Sequence, residues 1–290
     1  QPFNGFRKME EMMSLFNRGY MNTKVNRISQ NQWTIPVDVT TKDDNFTISA
    51  ALPGVSPEDL EVSLDERLLT IKARDGYPLD ATLILPMEFD AERGPYPIYL
   101  PTYSGPDAPS VRNAFSVSTW TQFLAERGCI VLQVNVRSAS GRGQAHTGLA
   151  YKQLGVLELR DLEDAVDFVV AEFAGDSERV AIDGWSYGGF MAAYALTHSD
   201  RFSLGIAGAG VYDWQLYDTI YTERYMSTPQ ENPSGYRRTS VLRGAKTLSG
   251  HLVLMHGGRD DNVHLQNTMR LVYELQRADK HSFELMVYPR

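Results

Sequence analysis

The run Val180-Ala-Ile-Asp-Gly-Trp-Ser-Tyr-Gly-Gly-Phe-Met-Ala-Ala-Tyr-Ala-Leu196 leaves this chain few ways to fold. Its first residues, Val180 to Asp183, have strand character, and Ala, Met and Leu follow Gly189 at helical density. Between them lies Gly184-Trp185-Ser186-Tyr187-Gly188. Strand, tight turn and helix with a serine at the apex make a nucleophile elbow. The turn is cramped, so a Cβ in place of either glycine is expected to strike a neighbouring strand or helix. Such a turn lifts Ser186 Oγ off the sheet. It also puts the Tyr187 N–H at a helix N-terminus, where it can stabilise an oxyanion. A bare G-x-S-x-G arises by chance in roughly one chain in ten of this length. The flanking strand and helix give the pattern its weight.

Around the elbow, strands alternate with helices. Strands are expected over Ala81–Pro86, Pro97–Tyr103, Ile130–Val136, Leu204–Ala209, Leu252–His256 and Phe283–Tyr288. Helices are expected over Trp120–Arg127, Leu157–Phe173 and Leu265–Ala278. In the second of these, Leu162, Ala165, Val166, Val169 and Val170 fall on one face. This order implies βαβ crossovers and an α/β fold with a mostly parallel sheet and helices on both faces. Function then gathers at the carboxyl ends of the strands. Three loops leave those ends with chemistry on them, carrying Tyr103, Ser186 and Asp260.

Before residue 74 the pattern differs. Phe3 to Tyr20 reads as a short amphipathic helix suited to packing or self-association, and Asn22 to Gln32 as a loose polar stretch. From Pro36 the apolar period becomes two: Val37, Val39, Phe46, Ile48, Val62, Leu64, Leu69 and Ile71 alternate with polar residues, predicting short antiparallel strands. The expected domains are therefore a helix and linker over 1–35, a partial β segment over 36–73 and an α/β domain over 74–290.

Charge and cysteine content narrow the partners. The net charge of −8 leaves no basic footprint for nucleic acid. Cys129 is the single cysteine, within an apolar run, so no disulfide framework forms inside one chain. No apolar stretch reaches the length of a membrane span. The chain begins at Gln1 without a leader pattern, and this reading favours the cytoplasm.

Two resemblances follow from these residues. Pro36-Val-Asp-Val, Ala51-Leu-Pro-Gly-Val, Leu60-Glu-Val-Ser-Leu and Leu68-Leu-Thr-Ile resemble part of a small heat-shock protein (alpha-crystallin) domain. That implies a holdase chaperone as the rival function. From about residue 74 onward the chain resembles the catalytic domain of the prolyl oligopeptidase family, in its dipeptidyl-peptidase branch. The matches, in order, are Tyr103-Ser-Gly-Pro, Leu154-Gly-Val-Leu-Glu, Gly184-Trp-Ser-Tyr-Gly-Gly, Tyr217-Asp-Thr-Ile-Tyr-Thr-Glu-Arg-Tyr-Met and His256-Gly-Gly-Arg-Asp-Asp-Asn-Val-His.

The residues alone leave Asp260 and Asp261 both open as the triad acid. The second resemblance implies an α/β-hydrolase in which Ser186 is the nucleophile and Asp260 the acid. It implies an oxyanion hole built from the Tyr103 hydroxyl and the Tyr187 N–H. Tyr187, Val211, Trp214, Tyr217, Tyr221 and Val263 would wall a pocket for proline or alanine before the scissile bond, and Asn262 would hold a substrate carbonyl. The implied reaction is acyl transfer on a peptide, without metal or cofactor. In this family the catalytic histidine lies in a loop after the strand that ends at Tyr288, and His281 precedes that strand. The peptide-anchoring propeller of the branch is absent from the chain. The expectation is therefore a domain truncated before its histidine, with negligible peptidase activity as it stands. A hydrolase scaffold used only for binding is the third reading.

Overall fold

The computed structural model describes residues 37–42, 45–50, 69–112 and 118–289. The expected helix over Phe3–Tyr20, the polar stretch Asn22–Gln32, the turn at Pro53–Pro57 and the strand near Val62–Leu64 lie outside the described residues. The chain divides into two units, Gln1–Leu64 and Asp65–Arg290.

In the first unit, β1 (Val37–Lys42) and β2 (Asn45–Ala50) pair antiparallel, with Val39 opposite Ile48 and Val37 opposite Ala50. The expected period of two thus accompanies a hairpin here.

The second unit is built on one eight-stranded sheet. Its strands are β3 (Leu69–Lys72), β4 (Pro78–Ile84), β5 (Tyr96–Pro101), β6 (Ile130–Val134) and β7 (Gly175–Trp185). They are followed by β8 (Leu204–Gly208), β9 (His251–Gly257) and β10 (Phe283–Tyr288). The order across the sheet is β10-β9-β8-β7-β5-β6-β4-β3. From β6 to β10 all neighbours run parallel, while β4 and β3 attach antiparallel at one edge. This is the α/β-hydrolase fold.

One strand lands elsewhere than its sequence neighbours suggest. Leu69–Lys72 continues the alternation of the preceding segment, yet it pairs with β4, Ile71 opposite Leu79, both fully buried. Arg74-Asp75-Gly76 is the hairpin turn between these strands. Gly76 takes φ +82°, and its N–H donates to the Ala73 carbonyl at 2.7 Å. A Gly/Asp turn reads equally as a boundary or as a hairpin. Here the apolar Ile71 side chain decides, because it finds a core beyond the turn.

The central strands read as continuous apolar runs since both faces are covered. Ile98, Leu100, Ile130, Leu132, Val180, Ile182, Leu252 and Leu254 are all buried. Helix Val156–Glu172 lays Leu159, Leu162, Ala165, Val166 and Val169 onto the core. Helix Tyr187–His198 buries every residue from Tyr187 to Thr197. A helix apolar on all sides belongs in the interior, and this one runs back from the carboxyl end of β7, the strand near the middle of the sheet. Whatever sits at its first turn is held from every side.

Candidate active site

Ser186 stands between β7 and helix Tyr187–His198 with φ 58° and ψ −116°. A non-glycine residue in that region costs about 1–3 kcal/mol and persists only when its surroundings impose it. The impositions are visible. The Ser186 N–H donates to the Gly208 carbonyl at 2.8 Å, and the Ser186 carbonyl accepts from the Phe190 N–H at 3.0 Å. A Cβ on Gly184 would lie 2.4 Å from the Gly188 backbone. One on Gly188 would lie 2.2 Å from the Thr102 carbonyl oxygen, and one on Gly189 equally close to that of Gly208. The glycines thus let the elbow sink between the loop after β5 and the end of β8. The Tyr187 N–H, at the first helical position, has no intrahelical acceptor and is available to an oxyanion.

Tyr103 follows β5 on a loop fixed against the elbow. The Thr102 N–H donates to the Asp183 carbonyl at 2.7 Å, and the Thr102 and Ser104 hydroxyls hydrogen-bond at 2.6 Å. The Tyr103 ring is 41% exposed, and its phenol lies beside the Ser186 hydroxyl. Burial of the phenol raises its pKa, and the Ser186 hydroxyl offsets part of that rise. The phenol therefore stays a neutral donor at physiological pH.

Next to this pair is a continuous aromatic wall. Tyr103 meets Tyr187 at 6.0 Å between ring centroids, and Tyr187 meets Trp214 at 5.6 Å. Trp214 stacks on Tyr221 at 6.0 Å, and Tyr221 meets Tyr217 edge-on at 5.6 Å. Trp214 and Tyr187 are buried, Tyr217 and Tyr221 half-buried. The Tyr217 hydroxyl donates to Asn262 Oδ1 at 3.0 Å, tying the wall to the loop after β9. In that loop Asp260 Oδ1 accepts from the Asn262 N–H at 3.0 Å and the Val263 N–H at 2.9 Å. Val211 and Val263 are buried.

The anticipated residues thus form one chain of neighbours from Tyr103 and Ser186 through Tyr187, Trp214, Tyr221 and Tyr217 to Asn262. Asp260 reaches it through the Asn262–Val263 turn and makes no hydrogen bond to Ser186. None of the six histidines hydrogen-bonds Ser186 either. His256 is fully buried, fixed between Thr268 Oγ1 at 2.6 Å and the Val263 carbonyl at 2.7 Å. It supports the Asp260 loop from beneath. His146 is engaged by Tyr77, His198 by Thr197, His251 by Glu284 and His281 by Asp279.

Two neighbours of the site escaped the sequence reading. Tyr225 lies 4.9 Å from Tyr221 between ring centroids and extends the wall. Its signal was present in the steps of four from Tyr217 to Tyr221 to Tyr225, which align side chains once a helix forms there. Asp183, which precedes the elbow, accepts from the Tyr99 hydroxyl, and that hydroxyl accepts from Trp120 Nε1 at 3.0 Å. Three elements far apart in sequence make that network, and no local pattern announces it. An open cleft of about 830 Å³ is lined by none of the anticipated site residues, though Asp213 and Gln215 beside Trp214 border it together with Arg243, Lys246, Arg270 and Arg277.

Residues 115–290 match the sequence model of the prolyl oligopeptidase family. A protein of Fusarium vanettenii described as a probable dipeptidyl-aminopeptidase B is 40% identical over 208 residues, 70% of this chain and 23% of its own length. A similarly described protein of Sclerotinia sclerotiorum is 36% identical over 218 residues, 74% of this chain and 24% of its own. The crystal structure of Porphyromonas gingivalis dipeptidyl peptidase 4 superposes with a TM-score of 0.72 at 38% identity, covering 76% of this chain and 31% of that one. The chain therefore spans about a quarter of the length of the curated relatives it matches.

Proposed function

The chain belongs to the prolyl oligopeptidase family, and from that premise we propose that it is the catalytic part of a serine peptidase acting through a Ser186 acyl-enzyme. The observation that carries the proposal is the strained Ser186, with the Tyr103 phenol beside its hydroxyl and an aromatic wall next to both. In this reading Ser186 Oγ attacks the carbonyl carbon of a peptide bond and its proton passes to a base. The oxyanion takes hydrogen bonds from the Tyr187 N–H and the Tyr103 hydroxyl, two donors fixed before reaction. The amine leaves with the proton, and water then releases the acyl group.

Asp260 is the proposed acid that orients the base. The base itself is assigned to a histidine beyond Arg290, as the family resemblance implies, and none of the chain's six histidines hydrogen-bonds Ser186. The wall of Tyr187, Trp214, Tyr217 and Tyr221, with Val211 and Val263, is proposed to select proline or alanine before the scissile bond. Flat rings suit a compact ring or a methyl group, and they offer no countercharge to a long charged side chain. Asn262 is proposed to hold a substrate carbonyl. Of the residues that carry the small heat-shock resemblance, Val37–Lys42 and Asn45–Ala50 pair as a hairpin while Leu69–Lys72 joins the sheet of the second unit, so the resemblance gains no support here. We attach no activity to it. No helix among the described residues is long and apolar enough to cross a membrane.

A prolyl phosphonate, which reacts with an activated serine, tests the proposal. The expected product is a single adduct mapped by mass spectrometry to Ser186, absent in Ser186→Ala. It should form slowly on this chain and faster on a form extended past Arg290. Adducts on another serine, or equal labelling of Ser186→Ala, would overturn it.

A further inference from the structure

Behind the aromatic wall lies a group that the reaction described above does not use. Glu158 sits in the first turn of helix Val156–Glu172 and is fully buried. Its Oε1 accepts from the Ser138 hydroxyl at 2.8 Å, while its Oε2 has no hydrogen-bond partner among the described residues. The Tyr187 hydroxyl is equally buried and equally without a partner. Both groups lie by the amide of Gly155, the residue that opens the helix. Gly155 is pressed onto the elbow helix: a Cβ there would lie 2.8 Å from Phe190 Cζ and 3.3 Å from Tyr194 Cδ1. The start of helix Val156–Glu172 and the first turns of helix Tyr187–His198 are thus in direct contact.

A buried hydroxyl or carboxyl oxygen left unpaired costs roughly 1–3 kcal/mol, and such groups nearly always find a partner. An orphaned donor–acceptor and an orphaned carboxyl oxygen beside the same amide are each other's natural complement. The bland alternative is that Glu158 only caps its own helix, reaching back to the Gly155 N–H as a third-position glutamate can. That use would leave the Tyr187 hydroxyl unsatisfied.

We propose that Glu158 is a positioning residue of the substrate pocket, its Oε2 coupled to the Tyr187 hydroxyl directly or through one enclosed water, so that it holds the ring that walls the pocket and follows the nucleophile. This deepens the peptidase reading and rests on it for the pocket's occupant. Burial pushes the Glu158 carboxyl up to about 7, so below that pH it carries a proton it can donate. The other titratable groups around it are Asp161, which is paired with Arg137, and the Tyr194 and Tyr221 phenols.

Two measurements on the full chain decide the matter. In the first, the ¹³Cζ resonance of Tyr187, assigned with Tyr187→Phe, is followed from pH 5 to 9. It should shift with a midpoint near 7, lose that shift in Glu158→Gln, and move its midpoint in Ser138→Ala. In the second, calorimetry measures the affinity for an alanyl-pyrrolidide in Glu158→Gln, Tyr187→Phe and the double variant. Each single change should weaken binding by about three- to tenfold, and the double by no more than either alone. A pH-independent Tyr187 signal in the unsubstituted chain, or fully additive losses, would overturn the coupling. If the pyrrolidide fails to bind the unsubstituted chain, the peptidase reading of the pocket falls, and the Tyr187 titration alone decides whether Glu158 positions the ring.

Discussion

Of the three carboxyl groups that helix Val156–Glu172 buries, Glu158 and Asp161 lie one turn apart and are treated in opposite ways. Asp161 is saturated. It accepts the Arg137 backbone N–H at 2.8 Å, Arg137 Nε at 3.0 Å and a terminal guanidinium nitrogen at 2.5 Å. The same guanidinium reaches Asp75 at 2.7 Å in the β3–β4 turn. The arrangement clamps the helix, the loop after β6 and the sheet edge, and Asp161 and Asp75 together hold the guanidinium charged. Glu158 has one hydroxyl partner and an open oxygen, and it lies near the buried Tyr187 phenol. The two corners share a helix, a depth and a charge type. They differ in whether every hydrogen-bonding site is used. Where all are used, the group holds structure together. Where one is left over, the group can answer to a neighbour that changes.

The largest effect expected on this contrast comes from the saturated corner. Arg137→Ala leaves Asp161 buried without its countercharge, which should lower unfolding stability by about 3–5 kcal/mol. Replacing both partners, Arg137→Met with Asp161→Leu, should recover most of that loss in urea unfolding. A cost under about 1 kcal/mol for Arg137→Ala would mean that water reaches Asp161 and that the two carboxyls are not opposites.

The site wall next to the open corner, where Tyr103 meets Tyr187, should fail in function while the fold stands. Tyr103→Phe removes one proposed oxyanion donor from a half-exposed ring and no core contact. Phosphonate labelling of Ser186 should slow by about 10²–10³-fold, the loss expected for one such donor, with the melting temperature nearly unchanged. Unchanged labelling would take Tyr103 out of the oxyanion hole.

A third expectation concerns pH, and its sign follows from the direction of the shift. The Glu158 carboxyl is raised in the folded chain, to about 7, against an ordinary value of about 4.3. The folded state therefore favours the protonated group. Its contribution is fully present below about pH 4 and is lost as pH rises through 7. Between those limits the unsubstituted chain should lose stability relative to Glu158→Gln by up to about 4 kcal/mol. Parallel stability–pH curves for the two proteins would show that Glu158 ionises freely in the fold.

These corners also mark what a reader of the sequence can and cannot find. The elbow is legible because its constraints are local: Gly184, Ser186 and Gly188 specify a turn within a few residues. The strand and helix that flank it carry their own periodicity. Val156–Glu172 and Gln266–Arg277 are legible for the same reason, within a residue of expectation at each end. Leu69–Lys72 misleads because a two-residue period records that a strand exists and not which sheet receives it. Arg137 with Asp161 leaves no trace, since the partners lie 24 residues apart with no spacing rule between them. Glu158 stands within the Leu154-Gly-Val-Leu-Glu match. Its burial, and the free oxygen that gives the burial meaning, exist only once Ser138 and Tyr187 have been brought to it.

The finest test divides a single residue of the pocket into its two contributions. Tyr217 offers a ring edge to Trp214 and Tyr221, and a hydroxyl to Asn262 at 3.0 Å. Tyr217→Ala removes both, and should weaken binding of an alanyl-pyrrolidide by roughly 1–3 kcal/mol for the lost apolar contact. Tyr217→Phe keeps the ring and removes only the hydrogen bond. That bond joins neutral groups at the rim, where water can take the place of either partner, so its loss should cost about 0.5 kcal/mol, the low end for such bonds. Should Tyr217→Phe cost as much as Tyr217→Ala, the hydroxyl would be acting through Asn262 on the substrate. The rim would then join Glu158 as a place where an unspent hydrogen-bonding site serves binding and not the fold. A negligible cost for both variants would remove Tyr217 from the pocket and leave Trp214 and Tyr187 as its wall.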